Sequence, residues 1–313
     1  MKQFHAHAWV AAADAFGVCD RARPGQTTAL LYRGKALTNL GRFDDAATAL
    51  QAFISQHPSS DDGLYSLAYV RFRQNQARES LQLFNRGAQL KPPTADDLKI
   101  VALDYVLLRD YNDAARYLEE SLKLNPDDLE ARYHLGRARY QLNQFDLAIA
   151  AFLQVLLVEP GNIKAEDNLG LSYEAKNDVD HAIAAYRKAI QLDQASLTHN
   201  AQPYLNLGSL FAKSNRGSEA ISLLKRASEI DPSSGKAWYE LGKSYLNLDR
   251  PEQARAAAET AVRLSPDESS YHYLLGRIYT KLGKSELSAR QFKATEDLIK
   301  HKGNAMAEVP ASQ

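Results

Sequence analysis

Trp238-Tyr239-Glu240-Leu241-Gly242-Lys243-Ser244-Tyr245 is the stretch on which the fold turns. Its apolar side chains recur at helical spacing, and Gly242 leaves room for a second helix to come close. Ala254, twelve residues on, is small again, and Pro266 stands where a second helix must stop. Working outward from Gly242, small residues fall at Gly34, Ala68, Ala102, Gly136, Gly170, Gly208 and Gly276. A second small series matches Ala254: Ala46, Ser80, Ala114, Ala148, Ala182, Ala220 and Ser288. A large residue follows four positions later in most units, as in Leu50, Phe84, Phe152 and Tyr186, with Ala258 the exception. The prolines keep the same beat. Pro24, Pro58, Pro92, Pro126 and Pro160 are 34 residues apart, as are Pro232 and Pro266. Between Pro160 and Pro232 lie two periods plus four residues, with Gln194 where a proline would fall.

Each unit therefore holds two apolar-periodic segments with the length and spacing of amphipathic helices. One such pair cannot bury its apolar face alone. Stacked pairs share a continuous core in which each repeat touches its neighbours. The segment at Trp238 and its fellows resembles the W-x2-L-G-x2-Y signature of tetratricopeptide repeats, over roughly residues 27 to 300. The resemblance implies an all-α, right-handed superhelical solenoid of antiparallel helix pairs. Its units lie near 27–60, 61–94, 95–128, 129–162, 163–200, 201–234, 235–268 and 269–302.

The four extra residues around Ser196-Leu197-Thr198-His199 read as a longer loop or a lengthened helix. Residues 1–26 read as a half-repeat or capping helix, with Ala12 and Phe16 in register. Either that helix caps the array or the chain begins downstream of a longer reading frame. An unpaired helix exposing Trp9 and Phe16 is also a route to self-association. At the other end, Lys284 to Lys302 reads as a charged capping helix with Leu287, Phe292 and Leu298 inward, and 303–313 as a disordered tail.

Composition narrows function. In 313 residues, Lys+Arg and Asp+Glu are equal at 38 each, so no charge excess draws the chain to nucleic acid. The most apolar run, Leu147 to Val158, is too short to span a membrane. Residues 1–15 lack the continuous apolar segment of a signal peptide, so a cytoplasmic location is expected, or a periplasmic or secreted one if the chain begins downstream of a longer reading frame. The lone Cys19 excludes an internal disulfide and reads as a packed thiol. The eight histidines show no i, i+4 pair that would converge on a metal. Gly242-Lys243-Ser244 ends like a phosphate loop, but Ala237 holds the place of the first glycine and no strand precedes it. No enzyme activity, cofactor or metal is expected.

The resemblance also implies that the first helices of successive pairs line a concave groove. Its positions here carry ten basic and five acidic residues, so the groove reads as net basic. They include Tyr65, Tyr69, Tyr133, Arg137, Tyr140, Tyr239, Lys243, Tyr273 and Arg277. Tyrosine gives stiff contact area with a polar tip, and basic groups select carboxylates. The expected ligand is an extended peptide of a partner protein, either net acidic or offering its C-terminal carboxylate. Asn168 and Asn206 stand where some family members hold a ligand backbone with a ladder of amides. The family's chaperone-tail clamp is not matched: Tyr133, Arg137, Asp167 and Leu171 stand where its lysine and asparagine belong. The function expected is a non-catalytic interaction scaffold. The alternative is the targeting module of a larger enzyme or of a secretion or assembly complex.

Overall fold

A computed structural model describes residues 2–23 and 28–307, which form seventeen α-helices and no strand. A single helix, α1 (Lys2–Ala22), precedes eight helix pairs. These are α2 (Ala29–Asn39) with α3 (Phe43–Gln56), α4 (Asp61–Arg73) with α5 (Ala77–Ala88), α6 (Ala95–Leu107) with α7 (Tyr111–Leu124), and α8 (Leu129–Gln141) with α9 (Phe145–Val158). Then follow α10 (Ile163–Ala175) with α11 (Val179–Gln194), α12 (Gln202–Lys213) with α13 (Gly217–Ile230), α14 (Gly235–Asn247) with α15 (Pro251–Leu264), and α16 (Ser269–Lys281) with α17 (Ser285–Ala307). The chain forms two compact units, Met1–Val158 and Glu159–Gln313, and each is described by itself.

Local chemistry starts and stops these helices. Ser60, Thr94, Asp110, Asp128, Asn162, Asp178 and Ser234 each accept a bond from a backbone N–H of the first turn that follows. Thr94 and Asp97 close a reciprocal capping box. Between the helices of every pair, one residue takes a positive φ: Gly41, Asn75, Arg109, Asn143, Asn177, Asn215, Asp249 and Gly283. That left-handed residue reverses the chain within the turn, and glycine, asparagine and aspartate tolerate it best.

The two small series meet inside each pair. A Cβ on Gly170 would lie 2.6 Å from the ring of Tyr186, which is fully buried. Ser80 Oγ and Ser288 Oγ donate back to the carbonyls of Ala68 and Gly276, at 2.9 and 3.0 Å. In the pair that carries Ala258, a Cβ on Gly242 would instead meet backbone, 3.2 Å from both Ala254 O and Ala258 N. First helices of neighbouring pairs also touch, α2 with α4 and α4 with α6 in one unit, α10 with α12, α12 with α14 and α14 with α16 in the other. Each unit thus puts its first helices on one face.

The extra residues take both forms open to them. α11 runs 16 residues, and a loop over 195–201 follows. Asp193, fully buried, organises that loop: it accepts from Asn200 N at 2.6 Å and Tyr204 Oη at 3.1 Å, and pairs with His199 Nδ1 at 3.2 Å.

Several expectations at the ends need correction. Cys19 is exposed rather than packed. Phe16 is not free for a second copy, since it stacks on Tyr32 at 5.5 Å, while Trp9 is exposed. Pro24 lies outside the described residues. Leu287 faces solvent rather than inward. Helix α17 continues to Ala307, into the segment expected to be disordered, and 308–313 lie outside the described residues.

Candidate functional site

In the first unit, α2, α4 and α6 bound an open cavity of about 800 Å³. α4 sends in Tyr65, Tyr69, Phe72 and Arg73, and α6 sends in Lys99, Ile100 and Leu103. Tyr65 Oη donates to Lys91 O at 2.7 Å, which fixes the ring. Arg73 donates to Tyr69 Oη at 2.8 Å and lies 4.5 Å from the ring centre of Phe43. The two lysines here are neutralised in place. Lys35 pairs with Asp62 at 2.6 Å, and Lys99 reaches Asp128 at 2.9 Å, Glu130 at 3.0 Å and Asp96 at 3.4 Å. Burial pulls the Lys99 ammonium down, but its bonds to Asp128 and Glu130 outweigh this and hold it above the usual lysine range. On α8, the Arg137 guanidinium sits 5.9 Å from the Tyr133 ring, Tyr133 packs on Phe152 at 5.9 Å, and Tyr140 on Phe145 at 5.6 Å.

The second unit is different. Tyr239 on α14 stacks on Tyr271 of α16, centroids 4.8 Å apart and planes 22° from parallel. Lys243 sits 6.0 Å from the Tyr239 ring and 3.6 Å from Glu240. Arg277 lies close enough that its charge acts on the Tyr239 hydroxyl, although burial dominates and raises that phenol's pKa. Tyr273 is exposed and packs on Phe292 at 5.8 Å. No ion pair forms at Lys236 or Arg277 among the described residues, whereas Lys213 pairs with Glu174 at 2.9 Å and Lys281 with Asp249 at 2.7 Å.

Ion pairs thus neutralise part of the expected net-basic groove, while Arg73, Arg137, Lys164, Lys236 and Arg277 join none among the described residues. Sequence counting missed the carboxylates outside the groove positions, Asp128 and Asp249, that neutralise groove lysines. The amide ladder is also not preformed. Asn206 is buried, donates to Asp167 Oδ1 at 2.9 Å and accepts from Gln202 Nε2 at 2.8 Å. Asn168 Nδ2 donates to the carbonyl of Lys164 at 2.8 Å. Asp167, beneath Asn206, is pushed up to about 7 by burial, against the smaller pull of the Asn206 bond.

Gly242-Lys243-Ser244 lies within α14, so its backbone N–H groups are committed to the helix. Among the described residues no group of three His, Cys, Asp or Glu side chains is placed to hold a metal, and no helix is long and apolar enough to cross a membrane. Two of the histidines hold local structure: His181 pairs with the Asp178 cap at 2.9 Å, and His272 bridges Gln291 and Pro266 O.

Comparison with known proteins agrees with this architecture. Tetratricopeptide repeat models match residues 31–94 and 102–163, 167–196, and 211–278. BBSome complex member BBS4 of Mus musculus is 31% identical over 199 residues, 62% of this chain and 31% of that protein. The chain thus spans less than a third of that relative's length. Among solved structures, the APC/C hetero-tetramer Cut9–Hcn1 superposes with a TM-score of 0.62 at 16% identity, covering 86% of this chain and 52% of that one. Yeast Tom70 follows at 0.57 and 18%, covering 91% and 60%. These likenesses concern the fold alone. With the repeat models lying on the helix pairs and the two small series meeting inside them, the chain belongs to the tetratricopeptide repeat family.

Proposed function

We propose that this chain is a non-catalytic scaffold for protein–protein interaction, and that the first-helix face of its second unit takes an extended segment of a partner through that segment's carboxylates. One observation carries the reading. Arg277, whose charge acts on Tyr239 of the Tyr239–Tyr271 stack, and Lys236, one turn before Tyr239 on α14, join no ion pair among the described residues, while Lys35, Lys99, Lys213 and Lys281 are already paired. An unpaired guanidinium beside a stiff aromatic platform gains most from an incoming carboxylate. The test replaces Lys236 and Arg277 together by glutamate and compares the proteins crosslinked to the chain in its native lysate. The reading expects specific partners to be lost; an unchanged set removes this face as the site.

A second reading keeps the same chemistry but makes the chain a recruiting module of a larger assembly. The match to less than a third of a protein named as a complex member favours it.

A further inference from the structure

The slot between α4 and α6 in the first unit has a chemistry that the acidic-ligand reading does not cover. α6 carries three apolar residues, Ile100, Leu103 and Leu107, at one-turn spacing on one side of the helix. At the same register α4 carries Ser66, Tyr69 and Arg73, and α8 carries His134, Arg137 and Gln141. No other first helix is apolar at all three places. Ile100 and Leu103 line the cavity of about 800 Å³ opposite Tyr65, Tyr69 and Phe72, and Leu107 is 45% exposed.

Charge decides what fits. The lysines at the cavity's two ends are closed off by their own carboxylates, Lys35 by Asp62 and Lys99 by Asp128 and Glu130. An acidic run would meet Asp62, Asp96 and Glu130 and be repelled. Arg73 is the cation of the lining whose contacts are all neutral: the Tyr69 hydroxyl and the rings of Phe43 and Tyr69. The slot therefore offers apolar walls and one guanidinium.

We propose that this slot binds a partner segment through a single bulky apolar side chain, seated between Leu103 and Tyr69, and one carboxylate held by Arg73. This rests on the scaffold reading above and assigns the first unit a ligand chemistry distinct from that of the second. The cavity is open, so the segment runs through it and the carboxylate is an Asp or Glu side chain.

The experiment incubates the full chain with a synthetic random dodecapeptide library, made once with free and once with amidated C termini, and reads the bound peptides by mass spectrometry. Wild-type chain is expected to enrich peptides with Leu, Phe or Met near one acid. Enrichment in both libraries is expected; enrichment in the free-terminus library alone would place the acid at the C terminus, against the proposal. Leu103→Ser should erase the apolar preference and Arg73→Gln the acid preference, each weakening the consensus peptide about tenfold. Circular dichroism confirms that both variants fold, and Leu107→Ser on the exposed turn serves as a second variant if Leu103→Ser does not. Four results overturn the proposal: no enrichment, enrichment in the free-terminus library alone, enrichment without an apolar anchor, or enrichment indifferent to these substitutions. If enrichment instead depends on Lys236→Glu and Arg277→Glu, the scaffold reading stands and this one falls. If no groove substitution alters capture, both fall.

Discussion

Asp104 occupies a column that the other first helices fill with uncharged residues, Ala36, Val70, Ala138, Ser172, Leu210, Ser244 and Ile278. It is fully buried, and neither carboxylate oxygen meets a donor, since Ser80 Oγ points to Ala68 O. Burial pushes it up to about 7. Its folded pKa lies above that of the unfolded chain, so the sign is fixed. Stability is fullest below about pH 4, falls as the unfolded carboxyl ionises, and stays reduced above pH 7. Asp104→Ala, which restores the column, should stabilise by roughly 1–3 kcal/mol at pH 8 and much less at pH 4, read by urea unfolding. An equal gain at both pH values would mean that the buried charge is not the cause. Arg109 is the other residue out of keeping. It takes φ of +61° at a turn position held elsewhere by glycine, asparagine or aspartate. Arg109→Asn is expected to raise stability by about 0.5–1 kcal/mol, checked by thermal melting. Both sites were legible in principle as single departures from a register. The bonds of Asn206 were not, because they depend on a neighbour 39 residues away.

Among the helices, α9 stands apart. Its solvent face carries Leu147, Ala150, Leu153, Gln154 and Leu157, where the same register on α7 carries Asp113, Arg116, Glu119, Glu120 and Lys123. Leu147, Leu153 and Leu157 are 52%, 47% and 84% exposed, so burial does not account for them. Leu153→Glu with Leu157→Lys, copying α7, should change stability by less than about 0.5 kcal/mol. The same pair should reduce concentration-dependent light scattering, as the loss of an exposed apolar patch requires. A drop in stability of several kcal/mol would show that this face is covered in the folded chain. Helix number and pairing could be read from the glycine, alanine and proline spacing, because close approach admits few side chains. Which cations stay unpaired could not, because ion pairs such as Lys281–Asp249 join different repeats at positions no family pattern specifies.

At the scale of the whole molecule, each compact unit holds one of the two tryptophans, Trp9 and Trp238. In a stacked array each repeat is stabilised by its neighbours, so a local change is felt most nearby. Asp104→Ala should therefore shift the urea midpoint reported by Trp9, in a Trp238→Phe background, more than that reported by Trp238 in a Trp9→Phe background. Identical shifts would show that the units unfold as one. The repeat count and register were plain in the sequence at this scale, and the division near Val158 was not, since the 34-residue beat runs through it unbroken. The interruption of that beat is elsewhere, in the loop folded over Asp193. Loops of this size cost little to gain or lose, but a carboxylate sealed inside and held by His199, Asn200 and Tyr204 would be orphaned if the loop were removed. The four residues thus act as a one-way ratchet in the history of the chain: easy to acquire, and hard to shed without Asp193 being replaced first.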